Sequence, residues 1–204
     1  MIANHIHDAL GQVRRMQELI LEKRLFRGYS GKARILSGAV ALAGTAVLAE
    51  GSVPRTQQAQ LTGWAVVLVV ALVLNYASLF YWFLRDPSVR RNPLMLKPAI
   101  DAIPALAVGA VLSVALICAG VYNLLFGVWM CLYGLAQVAY RNSLPRGIYA
   151  VGIFYLICGA FCLLSPAISF VDPWPMGLVF CVGESAGGMV LIHRDKTEER
   201  DGAV

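Results

Sequence analysis

Charged residues are scarce in this chain of 204 residues. Lys, Arg, Asp and Glu together make up 14% of the sequence, whereas 58% of it is hydrophobic. A soluble domain is about 45–50% apolar, so an ordinary water-soluble fold is excluded. The net charge of +5 does not indicate nucleic-acid binding, because the basic residues lie in short stretches between apolar runs.

No sequence motif typical of a catalytic, phosphate-binding or metal-binding site stands out either. The sequence contains no phosphate-binding Gly-Lys-Ser/Thr loop and no His-Glu-x-x-His pair. Gly183-Glu-Ser-Ala-Gly187 matches Gly-x-Ser-x-Gly, but it lies inside the sixth apolar run and not at a turn between a strand and a helix. The three histidines, His5, His7 and His193, lie outside the apolar runs, and no cluster of cysteines or carboxylates completes a zinc site. We therefore predict no catalytic residue, metal ion or cofactor, and no enzymatic activity.

Long apolar runs are what the sequence does contain. A helix needs about 20 apolar residues to cross a hydrocarbon core of ~30 Å, and six segments meet this requirement. The third and fourth segments nearly touch at Gly120, where a tight hairpin is expected, since more than about 40 residues exceed one crossing. The predicted spans are 33–50, 62–84, 99–119, 121–140, 146–165 and 173–192.

The distribution of basic residues predicts the orientation of these spans. Loops rich in Lys and Arg are retained in the cytoplasm. With six spans, 16 of the 17 basic residues fall on one side and only Arg55 on the other. We therefore predict a multi-pass protein of the cell (inner) membrane with both termini in the cytoplasm.

The predicted fold is all-α, with six transmembrane helices in three hairpins. Residues 5–27 have apolar side chains at helical spacing, separated by polar ones, which predicts an amphipathic helix before the first span. This helix lies on the membrane surface with its basic residues towards anionic lipid headgroups, or it docks to protein. The predicted organisation is 1–30 for this helix and its linker, 31–193 for the transmembrane domain and 194–204 for a charged cytoplasmic tail.

Small residues predict where helices approach one another closely. In lipid, close backbone packing replaces the hydrophobic effect as the source of helix association. Glycines along the first and sixth spans have this role in our prediction. They are Gly38, Gly44, Gly183, Gly187 and Gly188.

A few polar residues fall inside the apolar spans, where they are costly. Asn75 and Gln137 are uncharged and are expected to form interhelical hydrogen bonds. Asp101 lies at the start of the third span, three residues before Pro104. It either caps the helix N-terminus or faces a cation or proton path beside a proline kink.

Glu184 is the carboxylate that the predicted topology places near the middle of the membrane. We count no basic residue at the same depth, so no salt bridge within the chain is expected, and Asn75 is the best partner, with Tyr76 and Tyr133 as weaker ones. Glu184 either stabilises helix packing through hydrogen bonds or serves as a protonatable or cation-binding site.

Two functions remain open at this point. The first is a non-catalytic subunit, scaffold or regulator that acts through contacts with the lipid bilayer and with protein, either copies of itself or another membrane protein. The short loops and the scarcity of charge within the spans favour it. The second is a channel or transporter for a small solute, ion or proton that uses Glu184.

Overall fold

The computed structural model of the protein describes residues 11–13, 30–51, 53–85, 103–139 and 144–201. Over these residues the chain is helical without strands, as predicted. Residues 11–13 are helical and exposed, and the rest of the predicted amphipathic helix lies outside the described residues. The helices are α1 (Gly31–Ala49), α2 (Gln57–Arg85), α3 (Ile103–Cys118), α4 (Leu125–Ala139), α5 (Arg146–Leu164) and α6 (Trp174–Asp201).

Five helices in the described part of the chain are long and apolar enough to cross a membrane, which marks a membrane-embedded protein. They are α1, α2, α4 together with the 3-10 turn Tyr122–Leu124 that precedes it, α5 and α6. The third predicted span corresponds to α3, which is apolar but has only 16 residues. Its length is about 24 Å, short of the ~30 Å hydrocarbon core. Six spans therefore remain a prediction.

The helix ends follow from local side-chain and backbone hydrogen bonds. The Ser30 hydroxyl accepts from the amide of Ala33, at 3.3 Å, and caps the start of α1. Gly120, with φ of 72°, ends α3. The N–H of Gly120 donates to the carbonyl oxygen of Ile117, and the N–H of Val121 donates to the carbonyl oxygen of Leu116. This is the Schellman arrangement that a left-handed glycine permits, and it turns the chain towards α4 where the sequence predicted a turn.

Two antiparallel helix pairs make the closest contacts in the bundle. In the first pair α1 lies against α6, with Gly177 in contact with Thr45. In the second α4 lies against α5, and Gly134 faces Gly152. Helix α2 packs on α1, and α3 packs on α4. Both close pairs therefore join helices from different predicted hairpins.

Helices α2 and α3 lie at the periphery of the bundle. None of the residues of α3 is buried, and many large apolar side chains of α2 are exposed, among them Val66, Val73 and Phe80. Apolar side chains gather instead near the start of α4, around Trp64, Phe126 and Phe170. The exposed apolar faces of α2 and α3 are suited to contact with lipid acyl chains or with another membrane protein.

Candidate functional site

A buried carboxylate forms the centre of a polar cluster inside the bundle. Glu184 of α6 is only 4% exposed. Its Oε1 atom accepts from Nη2 of Arg34 at 2.9 Å, from the hydroxyl of Tyr133 at 2.8 Å and from that of Tyr155 at 3.1 Å. Its Oε2 atom accepts from Nε of Arg34 at 2.9 Å. Four donors from three helices therefore hold the carboxylate.

Arg34 supplies the opposite charge and is as deeply buried as Glu184. It lies in the first turn of α1 and is 4% exposed. Its two bonds to Glu184 form a bidentate ion pair, the arrangement in which arginine binds carboxylates most strongly. Its Nη1 atom donates to Oε1 of Gln137 on α4, at 3.3 Å. The cluster thus joins α1, α4, α5 and α6 through one neutral ion pair.

Glycines provide the space that these large side chains occupy. A Cβ on Gly187 would lie 2.8 Å from Cζ of Arg34, so the guanidinium lies directly against the backbone of α6. A Cβ on Gly183 would collide with the ring of Tyr155, and one on Gly38 would lie 3.1 Å from Cβ of Glu184. The three glycines therefore allow an arginine, a tyrosine and a glutamate to fit between close helices.

The other two glycines singled out from the sequence lie elsewhere. Gly188 lies against the carbonyl oxygen of Gly31 and the side chain of Ile35, so it belongs to the contact between α1 and α6. Gly44 faces the side chain of Val67 on α2. Close packing of the first and sixth helices thus involves Gly38, Gly187 and Gly188, whereas Gly183 packs against Tyr155 of α5 and Gly44 packs against α2.

The expectation that Glu184 has no basic partner within the chain is wrong. Arg34 was counted with the cytoplasmic residues, because its Cα lies close to the start of α1. The long side chain instead extends along α6 to the carboxylate, 150 residues away in sequence. A signal was present: Arg34 shares one helical face with the small residues Gly31 and Gly38, a face that packs against another helix.

The other polar candidates lie apart from the carboxylate or meet it through arginine. The Nδ2 atom of Asn75 donates to the hydroxyl of Ser37, at 2.8 Å, and to the carbonyl of Ala71. Asn75 as the best partner of Glu184 was therefore a wrong prediction, whereas Tyr133, the weaker candidate, does bind it. Tyr76 is half exposed. Asp101 lies outside the described residues.

Aromatic rings surround the carboxylate on one side. The rings of Tyr133 and Tyr155 meet edge to face with centroids 5.0 Å apart, and Phe180 lies 5.3 Å and 5.0 Å from them. Apolar surroundings strengthen the hydrogen bonds of the ion pair and make loss of either charge expensive.

No protein-family model, characterised protein or solved structure matches this chain. A carboxylate has about four lone-pair sites, and in Glu184 three donors bind Oε1 and one binds Oε2. Among the described residues there is also no group of three or more His, Cys, Asp or Glu side chains that could hold a metal ion. The arrangement is suited to holding four helices together.

Proposed function

We propose that this chain is a non-catalytic integral membrane protein that acts as a subunit, scaffold or regulator through contacts of its outer surface. The observation that carries the proposal is the binding of the Glu184 carboxylate by four donors, from Arg34, Tyr133 and Tyr155. The ion pair is neutral, and within it Arg34 makes three hydrogen bonds and Glu184 four, as expected of a group that specifies helix packing. The exposed apolar faces of α2 and α3 supply surface for lipid and for a partner protein.

The proposed topology has six spans in three hairpins, with both termini in the cytoplasm of a cell (inner) membrane. Reporter fusions after residues 30, 92, 143 and 204 are expected to be cytoplasmic, and fusions near 56 and 170 external. The reason is the retention of basic loops on the cytoplasmic side. Since α3 is short, the decisive pair is the fusion near 56 and the one after 143. An external C-terminus, or an external signal after residue 143, contradicts six spans.

Purification in a mild detergent tests the contact function. The chain, tagged and expressed at its native level, is expected to elute with a second membrane protein in fixed stoichiometry. The matched variant replaces exposed Val111 and Val114 of α3 with Trp, which changes the shape of the outer face without adding charge. Loss of the partner with unchanged thermal stability supports a docking face on α3. A particle that contains only this chain contradicts the subunit role.

A second candidate function is a small-solute, ion or proton channel or transporter. One observation favours it: the bonds of Arg34 and Glu184 to Gln137, Tyr133 and Tyr155 connect the α1–α6 pair with the α4–α5 pair. Rigid units that move against each other around a central site are the usual basis of alternating access. Flux into liposomes containing only this chain, lost in a stably folded Glu184→Gln protein, would decide for this candidate.

A further inference from the structure

Gln60 and Trp64 place two polar side chains in the apolar interior at the start of α2. They are four residues apart and so lie on one helical face. Gln60 is 0% exposed and Trp64 is 4% exposed. The ring of Trp64 packs edge to face against Phe126, with centroids 5.7 Å apart. Both polar groups thus lie beside an aromatic cluster, well separated in the fold from the ion pair of Arg34 and Glu184.

The end of α1 determines the orientation of the Gln60 amide. The last carbonyls of a helix have no partner within it, and the carbonyl of Leu48 accepts from Nε2 of Gln60 at 3.2 Å. Turning the amide over would place two acceptors, Oε1 and the Leu48 carbonyl, against each other. The Oε1 atom of Gln60 therefore points away from α1.

Two complementary buried atoms in this region have no hydrogen-bond partner: Oε1 of Gln60, an acceptor, and Nε1 of Trp64, a donor. Buried polar groups in native proteins are nearly always paired, with protein or with ordered water. A group that satisfies both must accept from the indole and donate to the amide. A hydroxyl group does both, whereas a carboxylate or phosphate only accepts and an ammonium only donates.

The surroundings also select against a charged ligand. The buried side chains next to Trp64 are apolar, among them Leu48, Phe126 and Met176. An ion would lose its hydration there without gaining a counter-charge. We propose that the face formed by Gln60 and Trp64 binds one neutral hydroxyl group, which accepts from the indole N–H and donates to the amide oxygen. The hydroxyl belongs either to a water molecule or to the headgroup of a lipid.

Nuclear magnetic resonance of the ¹⁵N-labelled indoles tests this site in the full chain. The protein is studied in an amine-oxide detergent, whose headgroup has no hydroxyl, and in nanodiscs of phosphatidylcholine or phosphatidylglycerol. The Trp64 signal is assigned by its loss in Trp64→Phe. Trp129 is the internal reference, since its Nε1 donates to the hydroxyl of Ser113 at 2.7 Å.

We expect a cross-peak between the Trp64 indole proton and water in the amine-oxide detergent. A cross-peak that appears only in phosphatidylglycerol, to the carbon-bound protons of the headgroup glycerol, identifies the lipid as the source. Gln60→Met keeps the length of the side chain without its oxygen. It should remove the cross-peak and shift the Trp64 proton upfield, while the Trp129 signal stays in place. Absence of any such cross-peak to Trp64 in all three environments overturns the proposal.

Discussion

Replacing Arg34 with leucine is expected to destabilise the protein by about 3–5 kcal/mol, because it leaves Glu184 in the interior without its counter-charge. A loss of this size is a large part of the total stability of a typical protein. The thermal unfolding midpoint in a mild detergent measures it. Lys32→Leu is the matched control: Lys32 lies in the same turn of α1 but is exposed, so its replacement should cost less than about 0.5 kcal/mol.

The double variant Arg34→Leu/Glu184→Gln distinguishes a coupled pair from two independent residues. A neutral glutamine keeps an acceptor oxygen for the hydroxyls of Tyr133 and Tyr155, and it removes the uncompensated charge. We therefore expect the double variant to be more stable than Arg34→Leu alone, with a coupling free energy above about 1 kcal/mol. Additive losses would show that the ion pair contributes nothing as a pair.

The same variants separate the two candidate functions. In the scaffold proposal, a folded double variant still binds its partner, because the cluster only holds the helices in place. In a transporter, a neutral residue at position 184 abolishes flux even where the fold is retained. Partner binding and flux are therefore measured on the double variant and on Glu184→Gln at a temperature where both are folded.

Hydropathy alone was enough to predict the helices, because each membrane crossing requires an apolar run of fixed length. It was less informative on α3: within the predicted span 99–119, the described helix Ile103–Cys118 has 16 residues, fewer than the about 20 of a full crossing. The turn at Gly120 was predictable, since only a break in helix geometry divides an apolar run of that length.

The ion pair was not predictable from depth along the helices. Depth in the membrane is estimated from Cα positions, which place Arg34 on the cytoplasmic side. This estimate does not include the length of the arginine side chain. The spacing of apolar residues within one helix also does not show which other helices it will contact. The pairing of α1 with α6 brings together Arg34 and Glu184, which are 150 residues apart. The stripe of small residues on α1 was the usable signal, because a basic residue on such a stripe faces another helix.

A valine in place of Gly134 is expected to cost about 3 kcal/mol or more, the upper range for overpacking. Its Cβ would lie 2.8 Å from the carbonyl oxygen of Gly152 and 3.0 Å from the amide nitrogen of Leu156. These are backbone atoms of α5, so no side-chain rotation relieves the collision, and α4 and α5 must separate. Gly51→Ala is the control, because a Cβ there meets nothing within 4 Å. Thermal unfolding in detergent compares the two.

Gly109→Ala shows how little a glycine substitution costs where the neighbouring atom can move. A Cβ there meets only the end of a flexible side chain, Leu132, at 3.3 Å. The cost of Gly109→Ala should be far below that of Gly134→Val. Gly152 supplies the sharper test, since its own Cβ would lie 3.0 Å from the carbonyl oxygen of Gly134. Once one substitution has separated the helices, the second meets a wider gap, so Gly134→Val and Gly152→Val should cost less together than the sum of the two alone. Fully additive costs would mean that these glycines do not face each other across one interface, and the pairing of α4 with α5 would be wrong.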